Sequence, residues 1–512
     1  MKTNNSVVLF GDSKGINGRP LGMYVIASYL RSHGIPTQTI WGWNQIPDPI
    51  FLGLCKKYLN EEVKVIGISS TMIFCPPKPN FFGLDQDQLH QRFALIKKLA
   101  PNAKIVVGGS QTSHSNLSGI EGKEYIDLFI KGQGEDVMLE YVKSVLENTT
   151  IRTTDLIPRA TSDSLYPYSH FSTTPVTFTK EDCIIPTEAL GIELARGCKF
   201  RCSYCSYELN GKQSGDYIKP KEVLRNEFLK NYDAHGTTYY YIVDDLINDS
   251  MEKVDMLLEV SESLPFRLQY SGFLRLDIIR RFPTMATKLL DSGLVGTFFG
   301  IETVNDKAGR AVGKGLGKER TSEALAIVND IWKKSVSISA GFILGLPTDD
   351  DNTKHELIEW LQTPTVKNAI DTVSIWPLAI ALTQGISEID QDPAKFGYSF
   401  IDELNIAPDN ARIQGGATMN WKTSTYDVNR AREDSRWVSN EFYKNYKFKS
   451  RLSFQEVPNA LAQSEFPEDL LKALTTDTSD RWDNQEEWFT YLKTLTNSYR
   501  SQYIKLMLYS KK

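Results

Sequence analysis

The chain has 512 residues, enough for two or three domains with a substantial core. Its composition is typical of a globular protein, and a formal net charge of −5 gives no general attraction for nucleic acid or anionic membrane. No apolar run approaches the roughly 18 residues of a spanning helix, and the first residues lack the apolar stretch of a signal peptide. The sequence therefore predicts a cytoplasmic protein without a membrane span, and a nucleic-acid substrate is not supported.

Residues 1–147 are predicted to form an open α/β domain. Short apolar runs alternate here with amphipathic stretches, which indicates parallel βαβ units in a doubly wound, Rossmann-like sheet. The predicted strands are Val7–Phe10, Thr37–Ile40, Val65–Ser69, Lys104–Gly108 and Asp127–Lys131, and the predicted helices include Leu21–His33, Asp87–Leu99 and Glu135–Glu147.

Polar and glycine-rich loops follow four of these strands, at residues 11–15, 69–72, 108–110 and 132–135. Ligands of an open α/β sheet bind outside the carboxyl ends of its strands, so these loops are candidate ligand contacts. Each loop alone is weak evidence, because glycine at a strand–helix turn often only supplies permissive backbone angles.

The alternation resumes after a segment rich in Thr, Ser and Pro. Residues 148–190 show no long periodic stretch and are predicted to be a linker. Residues 191–385 contain six strand candidates separated by helix-like stretches, which favours a partial (β/α)6 barrel with its site at the carboxyl strand ends. The predicted strands are Gly191–Ala195, Tyr239–Val243, Leu268–Phe273, Thr297–Ile301, Ser337–Leu344 and Thr372–Pro377.

The most informative motif directly follows the first of these barrel strands. Cys198, Cys202 and Cys205 form a C-x3-C-x2-C spacing. A [4Fe–4S] cluster takes four thiolates when saturated, so three thiolates leave one iron open to another ligand. A zinc site and ordinary buried thiols are the alternatives. Structural zinc prefers four ligands, often as two pairs, and no second Cys or His pair follows, so the iron–sulfur interpretation is favoured.

The spacing resembles the signature of the radical S-adenosylmethionine (radical SAM) superfamily, whose motif places an aromatic residue, here Tyr204, before the last cysteine. The resemblance implies that the open iron chelates S-adenosylmethionine and that Tyr204 packs near the adenine. A packed loop aromatic is the alternative for Tyr204. The resemblance also implies an electron donor such as flavodoxin or ferredoxin.

Four further residues are candidate contacts of S-adenosylmethionine. Family members carry acidic residues where Asp244 and Asp245 lie, although either carboxylate could instead cap the next helix. Arg275 could hold a carboxylate through two hydrogen bonds. Glu302 matches a family Gly-Ile-Glu segment whose glutamate faces S-adenosylmethionine. A surface salt bridge is the alternative for Arg275 and Glu302, and no side chain is assigned as catalytic.

The N-terminal loops, taken in order, resemble the cobalamin-binding domain that precedes the barrel in many radical SAM enzymes. Cobalamin domains with a histidine ligand carry D-x-H-x-x-G, but the loop at 12–15 contains no histidine. The resemblance therefore implies cobalamin without a histidine lower ligand from this loop. His114 is a conceivable substitute, but an ordinary loop histidine is the preferred interpretation. The implied cobalamin contacts are Ser69, Thr71, Gly108, Gly109, Gly132, Gly134 and Glu135.

Residues 386–512 are predicted to form a mostly helical region rich in aromatic residues, which are expected to serve packing rather than substrate recognition. The family comparison suggests that this region closes over the barrel mouth.

The preferred function is a cobalamin-dependent radical SAM methyltransferase that modifies an unactivated carbon of a small molecule, lipid or peptide. A rearrangement or cyclisation with the same cofactors is the first alternative. A radical SAM enzyme whose N-terminal domain binds something other than cobalamin is the second.

Overall fold

A computed structural model shows two parallel sheets joined by a tightly packed interface. It describes residues 5–12, 18–69, 86–109, 122–130, 133–150, 175–207, 209–213, 215, 217–380, 387–401, 420–444, 446–448 and 452–509. Within these ranges no helix is long and apolar enough to cross a membrane.

The N-terminal domain is built on a five-stranded parallel sheet of order β2-β1-β3-β4-β5. The strand order reverses between β1 and β3, which is where open α/β sheets leave a crevice for ligands. The central strands are buried along nearly their whole length, as expected for a sheet covered by helices on both faces. The strands are β1 (Val7–Gly11), β2 (Thr37–Trp41), β3 (Val65–Ser69), β4 (Lys104–Gly108) and β5 (Leu128–Ile130), and the helices are α1 (Leu21–Ser32), α2 (Asp48–Tyr58), α3 (Gln86–Leu99) and α4 (Glu135–Leu146).

The second sheet has six parallel strands in chain order, from β6 at one edge to β11 at the other. This order confirms the predicted partial barrel. The strands are β6 (Leu190–Ile192), β7 (Tyr239–Ile242), β8 (Gln269–Leu274), β9 (Leu294–Glu302), β10 (Ser337–Leu344) and β11 (Thr372–Pro377), and the helices are α5 (Lys221–His235), α6 (Met251–Glu262), α7 (Leu276–Arg281), α8 (Thr284–Asp291), α9 (Asp306–Ala311), α10 (Gly317–Trp332), α11 (Thr353–Leu361) and α12 (Pro364–Ala369).

Alternate residues of the barrel strands face the helices or the barrel interior. Phe299 of β9 stacks on Trp332 of α10, so it faces outward. Its neighbour Phe298 faces inward and packs on Phe273 of β8 and on Phe454 from the C-terminal region. These aromatic rings fill part of the barrel interior.

The C-terminal region supports the barrel at several places. Its helix α15 contacts β7, β8 and β9, α14 lies against β11, and the last helix contacts α2 of the N-terminal domain. A short segment at 387–391 lies beside the cysteine loop, where the Ile389 amide donates to the Ser203 carbonyl at 2.9 Å. The elements are α13 (Glu388–Gln391), β12 (Ser399–Phe400), β13 (Trp421–Lys422), α14 (Val428–Tyr443), α15 (Val457–Gln463), α16 (Pro467–Thr476) and α17 (Gln485–Tyr509).

Arg19 joins the three parts of the chain. Its guanidinium forms an ion pair with Glu188, just before β6, and both side chains are buried. It donates to the Asp182 and Cys183 carbonyls at 2.6 and 2.7 Å and lies 4.8 Å from the ring centre of Tyr503 in α17. We call the group Arg19, Asp182, Cys183, Glu188 and Tyr503 the interdomain clasp.

Most of the predicted strands are found within one or two residues of their expected bounds, although β9 begins three residues before the predicted start. No helix was named in advance at the positions of α2, α7, α9, α11, α12, α13 and α15. Of the predicted linker the structure describes residues 148–150 and 175–190, and the second stretch is packed into the fold, since its residues Asp182 and Glu188 are buried. Among the aromatic residues of the C-terminal region, Trp421, Trp482 and Trp488 are buried, in agreement with their expected packing role.

Candidate active site

A cavity of about 520 Å³ lies between the carboxyl edge of the N-terminal sheet and the cysteine loop of the barrel. The sheet contributes the ends of β1, β3, β4 and β5 together with the starts of α1 and α4. The barrel contributes six residues to the opposite wall, namely Glu193, Arg196, Ser206, Tyr207, Leu209 and Val243. The two walls join the ligand-binding edge of the sheet to the mouth of the barrel.

Five of the seven predicted cobalamin contacts line this cavity. They are Ser69, Gly108, Gly109, Gly134 and Glu135. Thr71 and Gly132 lie outside the described residues, as does His114. None of the described residues that line the cavity is a histidine.

The sheet wall of the cavity is mostly glycine and aliphatic. Gly109 has a φ of +117°, a conformation that residues with a side chain rarely adopt. Glycine therefore allows the chain to turn here at little energetic cost. At Gly22, near the start of α1, an added Cβ atom would meet no atom within 4 Å. This wall therefore leaves room for a large ligand to lie against the backbone.

The cysteine loop is held in place by backbone hydrogen bonds. The Cys198 amide donates to the Leu209 carbonyl and the Lys212 amide donates to the Cys198 carbonyl, both at 3.0 Å. The Cys205 amide donates to the Cys202 carbonyl at 2.9 Å, which closes a tight turn between these two ligands. Cys198, Cys202 and Cys205 are half-buried and form no disulfide.

The chemistry of these three thiols fits a cluster. Burial raises the pKa of the Cys198 thiol to about 11 and also raises the pKa of Cys205. Such thiols stay protonated at neutral pH until a metal displaces the proton. In the described part of the chain, no three Cys, His, Asp or Glu side chains converge on one ion. Thiolates of one cubane bind three different irons, so they need not converge on one point.

Arg275 lies directly beside the cysteine loop. Its Nη1 is 3.5 Å from the Cys202 Sγ, and its guanidinium lies 3.9 Å from the ring centre of Phe200. Asp277 accepts two hydrogen bonds from it at 2.9 and 2.7 Å. Because the guanidinium is buried, these contacts hold a positive charge next to the Cys202 thiol.

Glu302 and Tyr204 meet on the opposite side of the loop. Tyr204 forms a side-chain hydrogen bond with Glu302, and Lys314 Nζ lies 2.9 Å from Glu302 Oε1. Glu302 ends β9 with a φ of +66°, an uncommon conformation for a residue with a side chain. The strained backbone directs a carboxylate toward the mouth, where Lys314 balances its charge.

Asp244 is part of a buried network behind the loop. Its carboxylate lies 2.7 Å from Lys253 Nζ and accepts a hydrogen bond from the Leu194 amide at 2.7 Å. Both side chains are buried. Asp244 therefore supports the strand that leads into the cysteine loop. Ser250 caps the following helix, so neither Asp244 nor Asp245 does so.

Asp245 lies nearer to the cavity. It forms a side-chain hydrogen bond with Tyr207, and Tyr207 lines the cavity two residues after Cys205. The side chain of Asp245 is exposed at the mouth, but its poorly hydrated surroundings raise its pKa to about 6 despite this hydrogen bond. Sequence patterns did not single out Tyr207, because it lies outside the cysteine spacing.

Arg196 crosses the interface between the two walls. It lies 2.7 Å from Glu135 at the start of α4 and 2.7 Å from Glu193 at the end of β6. Gln133 accepts a third hydrogen bond at 2.9 Å. The two carboxylates raise the pKa of Arg196 despite its burial. Arg196 was also missed in the sequence, because its partner Glu135 is 61 residues away.

A parallel barrel with three cysteines after its first strand defines a radical SAM domain. Residues 192–361 match the family model described as the radical SAM superfamily. The barrel of this chain is therefore a radical SAM domain, and the overall fold is similar to that of solved cobalamin-dependent radical SAM enzymes.

Solved structures show the likeness of fold over nearly the whole chain. The radical SAM methyltransferase TsrM from Kitasatospora setae, with cobalamin and a [4Fe–4S] cluster bound, aligns with 97% of this chain and 99% of its own at a TM-score of 0.61 and 11% identity. The cobalamin-dependent radical enzyme OxsB, with aqua-cobalamin and S-adenosylmethionine bound, covers 97% of this chain and 80% of its own at a TM-score of 0.56 and 13% identity.

Curated relatives share less of the chain. An anaerobic magnesium-protoporphyrin IX monomethyl ester cyclase from Cereibacter sphaeroides is 23% identical over 59% of this chain and 51% of its own length. A bacteriochlorophyllide d C-8(2)-methyltransferase from Chlorobaculum tepidum is 21% identical over 50% of this chain and 56% of its own length. The chain spans about half the length of these relatives.

Proposed function

We propose that the protein is a cobalamin-dependent radical SAM methyltransferase. The observation that carries this proposal is the cavity between the sheet edge and the cysteine loop. A ligand on the sheet edge would face Ser206 and Tyr207 of the cysteine loop, so the two proposed cofactor sites would adjoin each other across this loop.

The chain's own residues fit an iron–sulfur cluster. Cys198, Cys202 and Cys205 would supply three thiolates from one loop, and a fourth coordination position would stay open for S-adenosylmethionine. Arg275 places a positive charge 3.5 Å from the Cys202 sulfur. A cation at this distance stabilises a thiolate and the negative charge of a reduced cluster.

S-adenosylmethionine would lie between the two sides of the mouth. Glu302 could receive its ammonium or ribose hydroxyls through charge-assisted hydrogen bonds. Lys314 would then hold the carboxylate in a fixed orientation from 2.9 Å. Tyr204 would pack near the adenine. Asp244 is proposed to act at a distance, by anchoring Leu194 ahead of the loop.

Cobalamin would lie on the sheet wall. Gly108, Gly109 and Gly134 leave the backbone open to a flat macrocycle, and Ser69 adds a hydroxyl. The cavity lining in the described chain offers no histidine, so the proposed cobalamin lacks a histidine lower ligand from these residues. Through its ion pair with Arg196, Glu135 would hold the barrel wall in position relative to the sheet wall.

When bound, the cluster and S-adenosylmethionine supply a 5′-deoxyadenosyl radical, and cobalamin supplies a methyl group. The chain's task is to orient these groups and to exclude water. The buried ion pairs of Arg196 with Glu193 and Glu135 line the cavity and would join its two walls beside the loop. An external reductant such as flavodoxin or ferredoxin would provide the electron, and the substrate would be a small molecule, lipid or peptide.

The test uses the anaerobically reconstituted enzyme with hydroxocobalamin, a reductant and S-adenosylmethionine labelled in its methyl group. We expect label in the protein-bound corrinoid together with S-adenosylhomocysteine. Corrinoid that binds but never acquires label would overturn methyl transfer. Protein that retains no corrinoid at all would point to a different ligand of the N-terminal domain.

A rearrangement or cyclisation is a second candidate, supported by the likeness to the curated cyclase. It uses the same cofactors without methyl transfer. Formation of 5′-deoxyadenosine without any S-adenosylhomocysteine would favour it over the methyltransferase.

A further inference from the structure

The two tyrosines of the cysteine loop are held on different sides of the barrel mouth. Tyr204 is bonded to Glu302 at the end of β9. Tyr207 is bonded to Asp245, directly after β7, and lines the interdomain cavity. The loop that carries the cluster ligands therefore presents one tyrosine toward each of the two proposed cofactor sites.

We propose that Tyr207, oriented by Asp245, is a positioning residue. It separates the corrinoid from the cluster and guides the transfer of the methyl group to the corrinoid. This inference rests on the proposed function. It assigns Asp245 to Tyr207 rather than to S-adenosylmethionine, and it gives a role to a residue that the cysteine motif does not include.

The position of Tyr207 supports this role. The sheet edge and the barrel wall face each other across the cavity, so a flat ligand on the sheet edge presents its upper face to the barrel wall. Tyr207 is the aromatic residue among the six that the barrel adds to this wall. Tyr207 follows Cys205 by two residues and lines the cavity, whereas none of the three cysteines is part of the cavity lining.

The hydrogen bond to Asp245 limits how this ring can move. A half-buried tyrosine without a partner can change rotamer, whereas a phenol bound to a carboxylate keeps one orientation. The backbone that carries the acceptor is held in place, because Asp245 follows Asp244, which is buried and bound to Lys253 and to the Leu194 amide.

The experiment compares Tyr207→Phe, Tyr207→Ala, Asp245→Asn and Asp245→Ala in the full-length reconstituted enzyme. The probes are hydroxocobalamin, a chemical reductant that converts its Co(III) to Co(I), and methyl-labelled S-adenosylmethionine, with no added substrate; transfer of the methyl group then releases S-adenosylhomocysteine. The readouts are iron content, the visible spectrum of the bound corrinoid and the rate at which label reaches it. Tyr217→Phe is the matched control, because Tyr217 donates to Asp249 at 2.7 Å in a similar pair that does not line the cavity.

We expect Tyr207→Ala to keep its iron, to shift the corrinoid spectrum and to slow labelling by at least about tenfold, the effect of losing one hydrogen bond to a charged group. Tyr207→Phe and Asp245→Ala should slow labelling to a similar degree. Asp245→Asn keeps an acceptor oxygen and should restore most of the rate. Tyr217→Phe should label like the wild type.

Unchanged spectrum and labelling in Tyr207→Ala would overturn the inference while leaving the proposed function standing. Equal losses in Tyr207→Phe and Tyr217→Phe would also overturn it, because the effect would then belong to loop stability. A wild-type enzyme that never labels its corrinoid would instead overturn the proposed methyl transfer, and this inference with it.

Discussion

The two walls of the interdomain cavity are built by different means. The barrel wall uses charged and polar side chains that hold one another, such as Arg196 between Glu193 and Glu135. The sheet wall is mostly glycine and aliphatic residues, and its polar side chains are few, namely Ser69, Gln133 and Glu135. One wall is specified by side-chain chemistry and the other by shape.

This difference follows from what each wall would hold. An iron–sulfur cluster and S-adenosylmethionine need ligands and charges at fixed points, which only particular side chains can supply. A large flat cofactor needs area and close approach of the backbone, which small residues allow. Substitutions in the barrel wall should therefore remove a ligand or a charge, whereas substitutions in the sheet wall should reduce the space for a cofactor.

The largest effect should come from the cysteine loop. Cys202→Ala removes one of three thiolates and the partner of Arg275, so iron should fall and 5′-deoxyadenosine formation should drop to the background of iron-free protein. Iron and sulfide content, the visible spectrum and product analysis measure this outcome. Cys55→Ala is the control, since Cys55 is a buried thiol of α2. Wild-type iron content in Cys202→Ala would contradict the assignment.

The interdomain clasp should be the next most sensitive place to substitution. Arg19→Met leaves Glu188 buried without its partner, which should lower the free energy of unfolding by about 3–5 kcal/mol. Denaturant unfolding followed by circular dichroism measures the loss. Arg19→Met combined with Glu188→Leu should recover part of it, because the unpaired charge is removed.

Arg281→Met serves as the control for the clasp. Arg281 is exposed, so its loss should change the free energy of unfolding by no more than about 0.5 kcal/mol. If Arg19→Met were no less stable than Arg281→Met, the clasp would not hold the two domains together.

The sheet wall can be tested by filling space. Gly22→Trp adds a large side chain where a Cβ atom meets nothing within 4 Å, so the fold should tolerate it. The lost room should weaken hydroxocobalamin binding by about tenfold to a hundredfold, which corresponds to the usual cost of overpacking. Equilibrium binding with Gly22→Ala as the control checks this. Equal affinities in the two variants would exclude a corrinoid at this wall.

The smallest effect concerns a buried carboxyl of the barrel. Asp349 accepts hydrogen bonds from the Gly345 and Leu346 amides, and burial raises its pKa to about 7. The folded protein therefore keeps a proton that the unfolded chain releases, so this group costs stability as the pH rises from about 4 to 7. Asp349→Asn keeps the acceptor without the charge.

The advantage of Asp349→Asn over the wild type should grow by about 2 kcal/mol between pH 5 and pH 8. Thermal unfolding at several pH values measures this difference. A constant difference across that range would show that Asp349 is ionised in the folded protein at both ends of it.

Sequence patterns predict the barrel wall more directly than the sheet wall. Every strand of both sheets could be predicted, because buried parallel strands are short apolar runs between helices. The cysteine spacing identified the barrel loop, since its ligands are close in the sequence. The sheet wall was inferred only from several weak glycine signals taken together, yet Ser69, Gly108 and Gly109 do line the cavity.

Residues that act across the fold could not be predicted. The partners Arg196 and Glu135 belong to different domains, and nothing in their local sequence indicates that they meet. The sequence also did not distinguish the roles of two neighbouring carboxylates. Asp244 forms a buried ion pair with Lys253, whereas Asp245 contacts Tyr207 at the cavity. Only the packing of α6 against the barrel distinguishes these two positions.

The central claim is that the interdomain cavity holds a corrinoid opposite the cysteine loop. The most direct measurement is the corrin absorption that the purified protein retains after anaerobic incubation with hydroxocobalamin and desalting, compared between wild type and Gly22→Trp. We predict stoichiometric corrinoid in the wild type and a large loss in Gly22→Trp. A wild-type protein that retains no corrin absorption at saturating supply would contradict the account.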